Sequence, residues 1–184
     1  TLNMLELARK YKSKILVASS SEVYGNPLEH PQIESYFGNV NPIGERSCYE
    51  EGKRVAESLC INYSMKYAVD IKIARIFNSY GQKMQPNDGR VISNFILQSL
   101  QNKPITIYGD GLQTRSFCFI DDLLEGLLKL MEINFCKPLN LGNNEEITII
   151  DLAKKIKEKC YSESQIIHLP PRKDEPFKRK PDLY

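Results

Sequence analysis

Ile15-Leu16-Val17-Ala18-Ser19-Ser20-Ser21-Glu22-Val23-Tyr24-Gly25 is the stretch that decides how this chain folds. Four apolar residues in a row are too few for a helix and read as a buried strand of a parallel sheet. Ligand sites of such sheets lie beyond the carboxyl ends of the strands. At that end the sequence places three hydroxyl groups and a carboxylate. About one helix later comes Tyr49-x-x-x-Lys53. Residues four apart on a helix share a face, so the Lys53 charge can lower the phenol pKa of Tyr49 and make it a usable base. The spacing alone carries little. With 17 Lys in 184 residues, and nine Tyr that have a residue four positions on, chance yields about one such pair. Its company gives it weight, because hydroxyls, carboxylate, phenol and ammonium can all touch one sugar ring.

Outward from this stretch, helical and strand patterns alternate. Residues 2–12 read as a helix with Leu2, Leu5 and Ala8 inward. The polar run 26–47, with Pro27, Pro31 and Pro42, reads as loop. Residues 48–66 read as a helix whose apolar set is Val55, Ala56, Leu59 and Tyr63. Strands are expected at Ile71–Phe77, Ile105–Tyr108, Leu139–Leu141 and Ile166–Leu169. A helix over 91–102 stops before Pro104. Another starts at a cap formed by Asp121 or Asp122 and runs to about Glu132. Thr148 caps a last helix to Cys160, with Asp151 three residues on. From Pro170 the tail reads as irregular. The sum is an α/β fold with a mainly parallel sheet.

A hydrophobic fraction of 41% suffices for a core, and a net charge of +2 argues against a dedicated nucleic-acid binder. The Lys-rich segments 9–14 and 154–159 read as solvated helix faces. Five Cys at 48, 60, 118, 136 and 160, with no C-x-x-C, read as reduced and mostly buried thiols. His30 and His168 lack partners at metal-ligand spacing, so no metal is expected. No run of eighteen apolar residues offers a membrane span. No G-x-x-G-x-x-G or G-x-G-x-x-G phosphate loop occurs; Gly109-x-Gly111 lacks the third glycine.

Six segments occur in order: Ser19–Gly25, Asn41-Pro42 through Tyr49-Glu50-Glu51-Gly52-Lys53-Arg54, Ala74-Arg75-Ile76-Phe77-Asn78, Asn87-Asp88-Gly89-Arg90-Val91, Tyr108-Gly109-Asp110-Gly111-x-Gln113-Thr114-Arg115, and Lys178-Arg179-Lys180-Pro181-Asp182. Together they resemble the extended short-chain dehydrogenase/reductase family, and most closely its UDP-glucuronate decarboxylase branch. The resemblance implies the C-terminal portion of a Rossmann-like, mainly parallel sheet plus a small substrate-binding region. It implies a single epimerase/dehydratase-type domain. About 1–80 would end the Rossmann half and carry the catalytic residues, and about 81–184 would bind substrate. The missing Gly-rich NAD loop marks the chain as the later half or more of a larger enzyme.

The implied chemistry uses NAD to oxidise C4 of UDP-glucuronate, loses CO2 from the resulting β-keto acid, and reduces C4 again to give UDP-xylose. In that scheme Tyr49 is the base, Lys53 its pKa partner and a ribose contact, and Ser20 bonds the C4 oxygen. Ser21-Glu22 stands where related dehydratases carry Asp-Glu; loss of CO2 needs no acid to protonate a leaving hydroxyl, and Glu22 orients the carboxylate or handles the C5 proton. Ser19, Ser79 and Arg90 join Tyr49 and Lys53 on the cofactor side. Asn78, Arg90 and Arg115 grip the UDP portion, Tyr108 stacks on uracil, and Arg179 meets the sugar acid. Each has a plain structural alternative: a packed Tyr with a surface Lys, a turn-forming Ser cluster, a helix cap, a solvated basic run. Two other functions remain open, a nucleotide-sugar 4-epimerase or 4,6-dehydratase and a truncated non-catalytic dimerisation or regulatory chain. The resemblance also implies a homodimer through helices 2–12 and 48–66, in the cytosol or the Golgi lumen.

Overall fold

In a computed structural model that describes residues 1–172 and 176–183, the first element is helix α1 (Leu2–Tyr11). Leu5 and Ala8, three apart, bury its inner face. Strand β1 (Ile15–Ser20) runs straight into a 3-10 turn at Ser21–Tyr24. Ser20 caps that turn by accepting a bond from the Glu22 N–H at 3.2 Å. The polar stretch that follows holds no helix or strand. It is tied down by bridges from Gly25 to Asn39 and from Gln32 to Pro181. Helix α2 (Ser47–Tyr67) comes next, then β2 (Ile71–Ile76).

The remaining elements are β3 (Ser79–Tyr80), α3 (Val91–Leu100), β4 (Ile105–Tyr108), β5 (Thr114–Ser116), β6 (Cys118–Phe119), α4 (Ile120–Glu132), β7 (Pro138–Leu141), β8 (Glu146–Thr148), α5 (Ile149–Lys159), β9 (Ile166–Leu169) and β10 (Lys178–Arg179). The main sheet has the order β1-β2-β7, all parallel. The order β10-β5-β8 forms a second sheet, whose β5–β8 pair is antiparallel; β3-β6 and β4-β9 are parallel pairs. One core packs Leu5, Ala8 and Cys60 against Ile71 and Ile73. Another joins Ile92 and Phe95 of α3 with Ile105, Ile107, Leu152 and Ala153. Gly142 lets the chain after β7 pass close to Phe77 and Pro181: a Cβ there would lie 2.9 Å from Phe77 and 3.1 Å from the Pro181 ring.

Several expectations need correction. β1 is not buried throughout. It lies at the sheet edge, so Ala18 is exposed and Ile15 to Val17 are half-buried, while Ser19 is buried. Val55 is 56% exposed; the inner face of α2 is Glu50, Ala56, Glu57 and Cys60, because Glu57 finds a cation inside. Neither Asp121 nor Asp122 caps α4. Phe119 occupies the cap position, and both acids sit in the first turn, where the helix dipole favours them. The tail is not wholly irregular, since β10 adds a strand to β5. Thr148 does cap α5, accepting from the Asp151 N–H at 3.1 Å. All five thiols are free, but only Cys60 and Cys118 are buried; Cys48 is exposed. Burial pushes the Cys60 thiol up to about 11.

Candidate active site

The site grows from the carboxyl end of β1, where strand alternation sends neighbouring hydroxyls to opposite sides. The Ser19 hydroxyl goes inward and donates to Glu57 of α2 at 2.5 Å. Ser20 stays half-buried at the mouth, and Ser21 is buried in the turn. Beneath them Arg75 of β2 grips Glu57 through two nitrogens, with Nη2 at 2.7 Å and Nε at 3.0 Å. Arg75 also donates to the Tyr24 hydroxyl at 3.0 Å and to the Glu34 carbonyl at 2.9 Å. Burial draws the Arg75 guanidinium pKa down, but Glu57 and Tyr24 outweigh it and leave it raised. This buried pair makes a rigid floor.

Above the floor, Tyr49 and Lys53 lie on the first turns of α2. Tyr49 is 47% exposed. The Lys53 ammonium sits 5.6 Å from the Tyr49 ring centre and donates to the Ala18 carbonyl at 2.7 Å. Both residues line an open groove of about 500 Å³, together with Ile15, Val17, Ala18 and Gly52. Its floor is the exposed edge of β1. A phenol and an ammonium at the rim of an apolar groove suit a flat heteroaromatic ring carried on a ribose, so these residues fit a nicotinamide dinucleotide.

Glu22 occupies the other side of the turn, between two arginines. Arg179 of β10 donates to its Oε1 and, through Nη2, to the Gly25 carbonyl at 2.8 Å. Arg46, at the N-terminal boundary of α2, lies 2.8 Å from Oε2 and 3.7 Å from buried Glu50. Arg179 is only 2% exposed, and that burial lowers its guanidinium pKa. Parallel pairing of β10 with β5 sets Arg179 directly opposite Arg115, so the two side chains project from one face. Arg115 is itself buried and donates to the Thr114 carbonyl at 2.8 Å. Such a concentration of cations suits an anionic ligand.

Ser20, Ser21, Glu22, Tyr49, Lys53 and Arg179 are thus gathered around the end of β1, with Arg115 joined through the small sheet. Asn78 precedes β3, where Ser79 pairs with Cys118, and its carbonyl accepts from the Cys118 N–H at 2.9 Å. Asn78 Nδ2 and Arg179 Nε are buried donors without a partner among the described residues, as acceptor oxygens of a ligand would require. Arg90 is exposed at the start of α3, 3.4 Å from Asp88. Tyr108 has one ring face covered by the Arg172 guanidinium at 4.1 Å. Sequence reasoning missed Arg46 and the Glu57–Arg75 pair. Charged residues inside a mostly apolar strand, Lys72 and Arg75, were the available signal for Arg75. The i,i+4 spacing of Arg46 to Glu50 was the signal for Arg46. Among the described residues no group of three or more His, Cys, Asp or Glu is placed to hold a metal ion, and no helix is long and apolar enough to cross a membrane.

This arrangement is that of the NAD dependent epimerase/dehydratase family, whose model matches residues 1–142; the chain belongs to that family. Within it, the chain is 54% identical over 183 residues to UDP-glucuronic acid decarboxylase 4 of Arabidopsis thaliana, covering all of this chain and 41% of that protein. It is 53% identical to UDP-glucuronic acid decarboxylase 1 of Danio rerio, covering 44% of that protein. The chain spans about half the length of these curated relatives. Among solved structures it resembles the UDP-glucose 4-epimerase of Thermotoga maritima with UDP-glucose, at TM-score 0.92 and 25% identity over 99% of this chain and 59% of that one. It also resembles the UDP-glucuronic acid 4-epimerase of Bacillus cereus in complex with UDP-glucuronic acid and NAD, at TM-score 0.86 and 28% identity over 97% of this chain and 56% of that one.

Proposed function

We propose that this chain carries the catalytic and substrate-binding part of a UDP-glucuronate decarboxylase that makes UDP-xylose. The observation that carries this reading is identity of 51–54% with UDP-glucuronic acid decarboxylases along the whole chain. The arginine-flanked Glu22 supports it, because a site for a sugar acid needs cations beside the ring.

NAD, when bound, supplies reversible oxidation at C4, which turns the sugar into a β-keto acid that sheds CO2 readily. The chain's own residues do the rest. Tyr49, exposed at the groove, takes the C4 hydroxyl proton and later returns it, and Lys53, beside its ring, reaches the ribose. The Ser20 hydroxyl orients the C4 oxygen. Arg179 and Arg115 draw the anionic substrate onto their shared face, and Glu22 keeps Arg179 in place until a substrate carboxylate competes for it. Asn78, Ser79 and Arg90 bind the nucleotide portions, and Tyr108 exchanges its Arg172 cover for uracil.

The test is to incubate the full gene product with NAD and UDP-glucuronate labelled with ¹³C at C6, following the reaction by NMR. The expected result is labelled CO2 together with an unlabelled UDP-pentose. Retention of the label with inversion at C4 would identify an epimerase and overturn the reading.

A further inference from the structure

Gln32 lies in the polar stretch between the 3-10 turn and α2 and is completely buried. Its backbone N–H donates to the Lys180 carbonyl at 2.8 Å. Its carbonyl accepts from the Asp182 N–H at 2.8 Å and from Asn140 Nδ2 at 2.9 Å. Its side-chain Nε2 donates to the Glu29 carbonyl at 2.7 Å, and Oε1 accepts from the Lys180 N–H at 2.9 Å. Three of these bonds end on residues 180 and 182, immediately beyond Arg179. Asn140 belongs to β7, and its Oδ1 accepts from the Tyr24 hydroxyl at 2.7 Å, on the same turn as Glu22. The bonds therefore close a circuit from Glu22 through Arg179, Lys180, Gln32, Asn140 and Tyr24 back to the turn.

We propose that Gln32 is a positioning residue: it fixes the strap 178–182 to the main sheet and so delivers Arg179 to Glu22. β10 is only two residues long and cannot hold that strap through its own ladder with β5. Arg179 adds one bond to Gly25 and one to Glu22, both at the site itself. Gln32 is the anchor on the far side of Arg179, and its amide is spent on the strap and on its own loop. Its bearing on turnover rests on the decarboxylase reading; its hold on Arg179 does not.

The experiment compares wild type, Gln32→Leu and Gln32→Glu in the full gene product. Leucine keeps the bulk and loses both side-chain bonds, whereas glutamate keeps an acceptor for the Lys180 N–H. The readouts are the ¹⁵Nε–H resonance of Arg179 and amide hydrogen exchange at Lys180, with Ile73 in the centre of β2 as internal gauge. In Gln32→Leu the Arg179 signal should move to the position of a solvated arginine. Exchange at Lys180 should rise about tenfold, as loss of one hydrogen bond predicts, with Ile73 unchanged. Gln32→Glu should keep both readouts near wild type. An unmoved Arg179 signal in Gln32→Leu overturns the proposal. So does equal acceleration at Ile73, which would make Gln32 a support of the fold alone, or a glutamate variant as loose as the leucine one. None of these readouts needs turnover, so absence of CO2 release and failure of this proposal are separately visible.

Discussion

Arg75 and Glu57 show what one buried charge does to its neighbours. Their side chains are 11% and 10% exposed, and each satisfies the other. Removing one partner leaves an unpaired charge in the interior, at a cost of about 3–5 kcal/mol. Arg75→Leu alone should therefore lower stability by that order in urea unfolding, while the double variant Arg75→Leu/Glu57→Leu should lose clearly less than the two single losses added. Tyr49, on the same helix as Glu57, faces the groove. Tyr49→Phe in the full gene product should slow the chemical step at least ~100-fold in single-turnover kinetics, with the fold intact; an unchanged rate would remove Tyr49 from the chemistry. At Arg179, replacement by Ala should weaken binding of UDP-glucuronate more than that of UDP-glucose, by about 1.5–3 kcal/mol for a charge-assisted bond. Equal losses, read by calorimetry, would place Arg179 in nucleotide binding or in the fold. Ser20, Glu22, Tyr49 and Lys53 were readable because they stand in short, ordered motifs. The Arg46–Glu22 pair and the role of Gln32 were not, because the fold brings Glu22 to Arg46, and brings Asn140, Lys180 and Asp182 to Gln32 from more than a hundred residues away.

The elements depend on turns that admit one residue type. Gly25 has φ +61°, and a Cβ there would lie 2.1 Å from the Asn39 carbonyl oxygen. Gly25→Ala must push that bridge apart, and should cost more than ~1 kcal/mol in urea unfolding. Strand β8 makes its own tie through Glu146, which accepts from Thr114 and meets His30 at 3.2 Å. Burial pushes the Glu146 carboxyl up, but the bonds from Thr114 and His30 outweigh it and hold it below its ordinary value. A lowered carboxyl contributes stability that is complete above the ordinary carboxylate pKa. That stability is lost as pH falls through the lowered value. The urea midpoint should therefore fall as pH drops below the ordinary carboxylate pKa and through the lowered value, with a shallower slope in Glu146→Gln. Long elements such as α2 and β2 were legible to within a residue or two, since they repeat their pattern over several turns or pleats. Strands β3, β5, β6, β8 and β10 have two or three residues each, too few for alternation to register, and they exist only because a distant partner pairs with them.

Across the whole molecule, one apolar stripe stands out. Met4, Leu7 and Tyr11 follow one another at i, i+3, i+7 on α1 and are 58%, 46% and 66% exposed, while Leu5 and Ala8 on the other face are buried. A second copy of the chain is the occupant expected from the resemblance, and sedimentation equilibrium should report a dimer. Met4→Lys with Leu7→Lys should convert it to a monomer; a wild-type monomer at micromolar concentration would remove the stripe from any such role. The α/β layout was legible from the alternation of helices and strands, but the second sheet was not, because its three strands come from near 114, 146 and 178 and carry no shared local pattern. The Glu22–Arg179 bond spans 157 residues of chain. At about 5–20 residues per second, a ribosome that has just made Glu22 needs roughly 8–30 s to reach its partner. Through most of that interval the acid has Arg46 but not Arg179 beside it. The newborn chain can thus have its main sheet in place before the Arg179 side of the pocket exists.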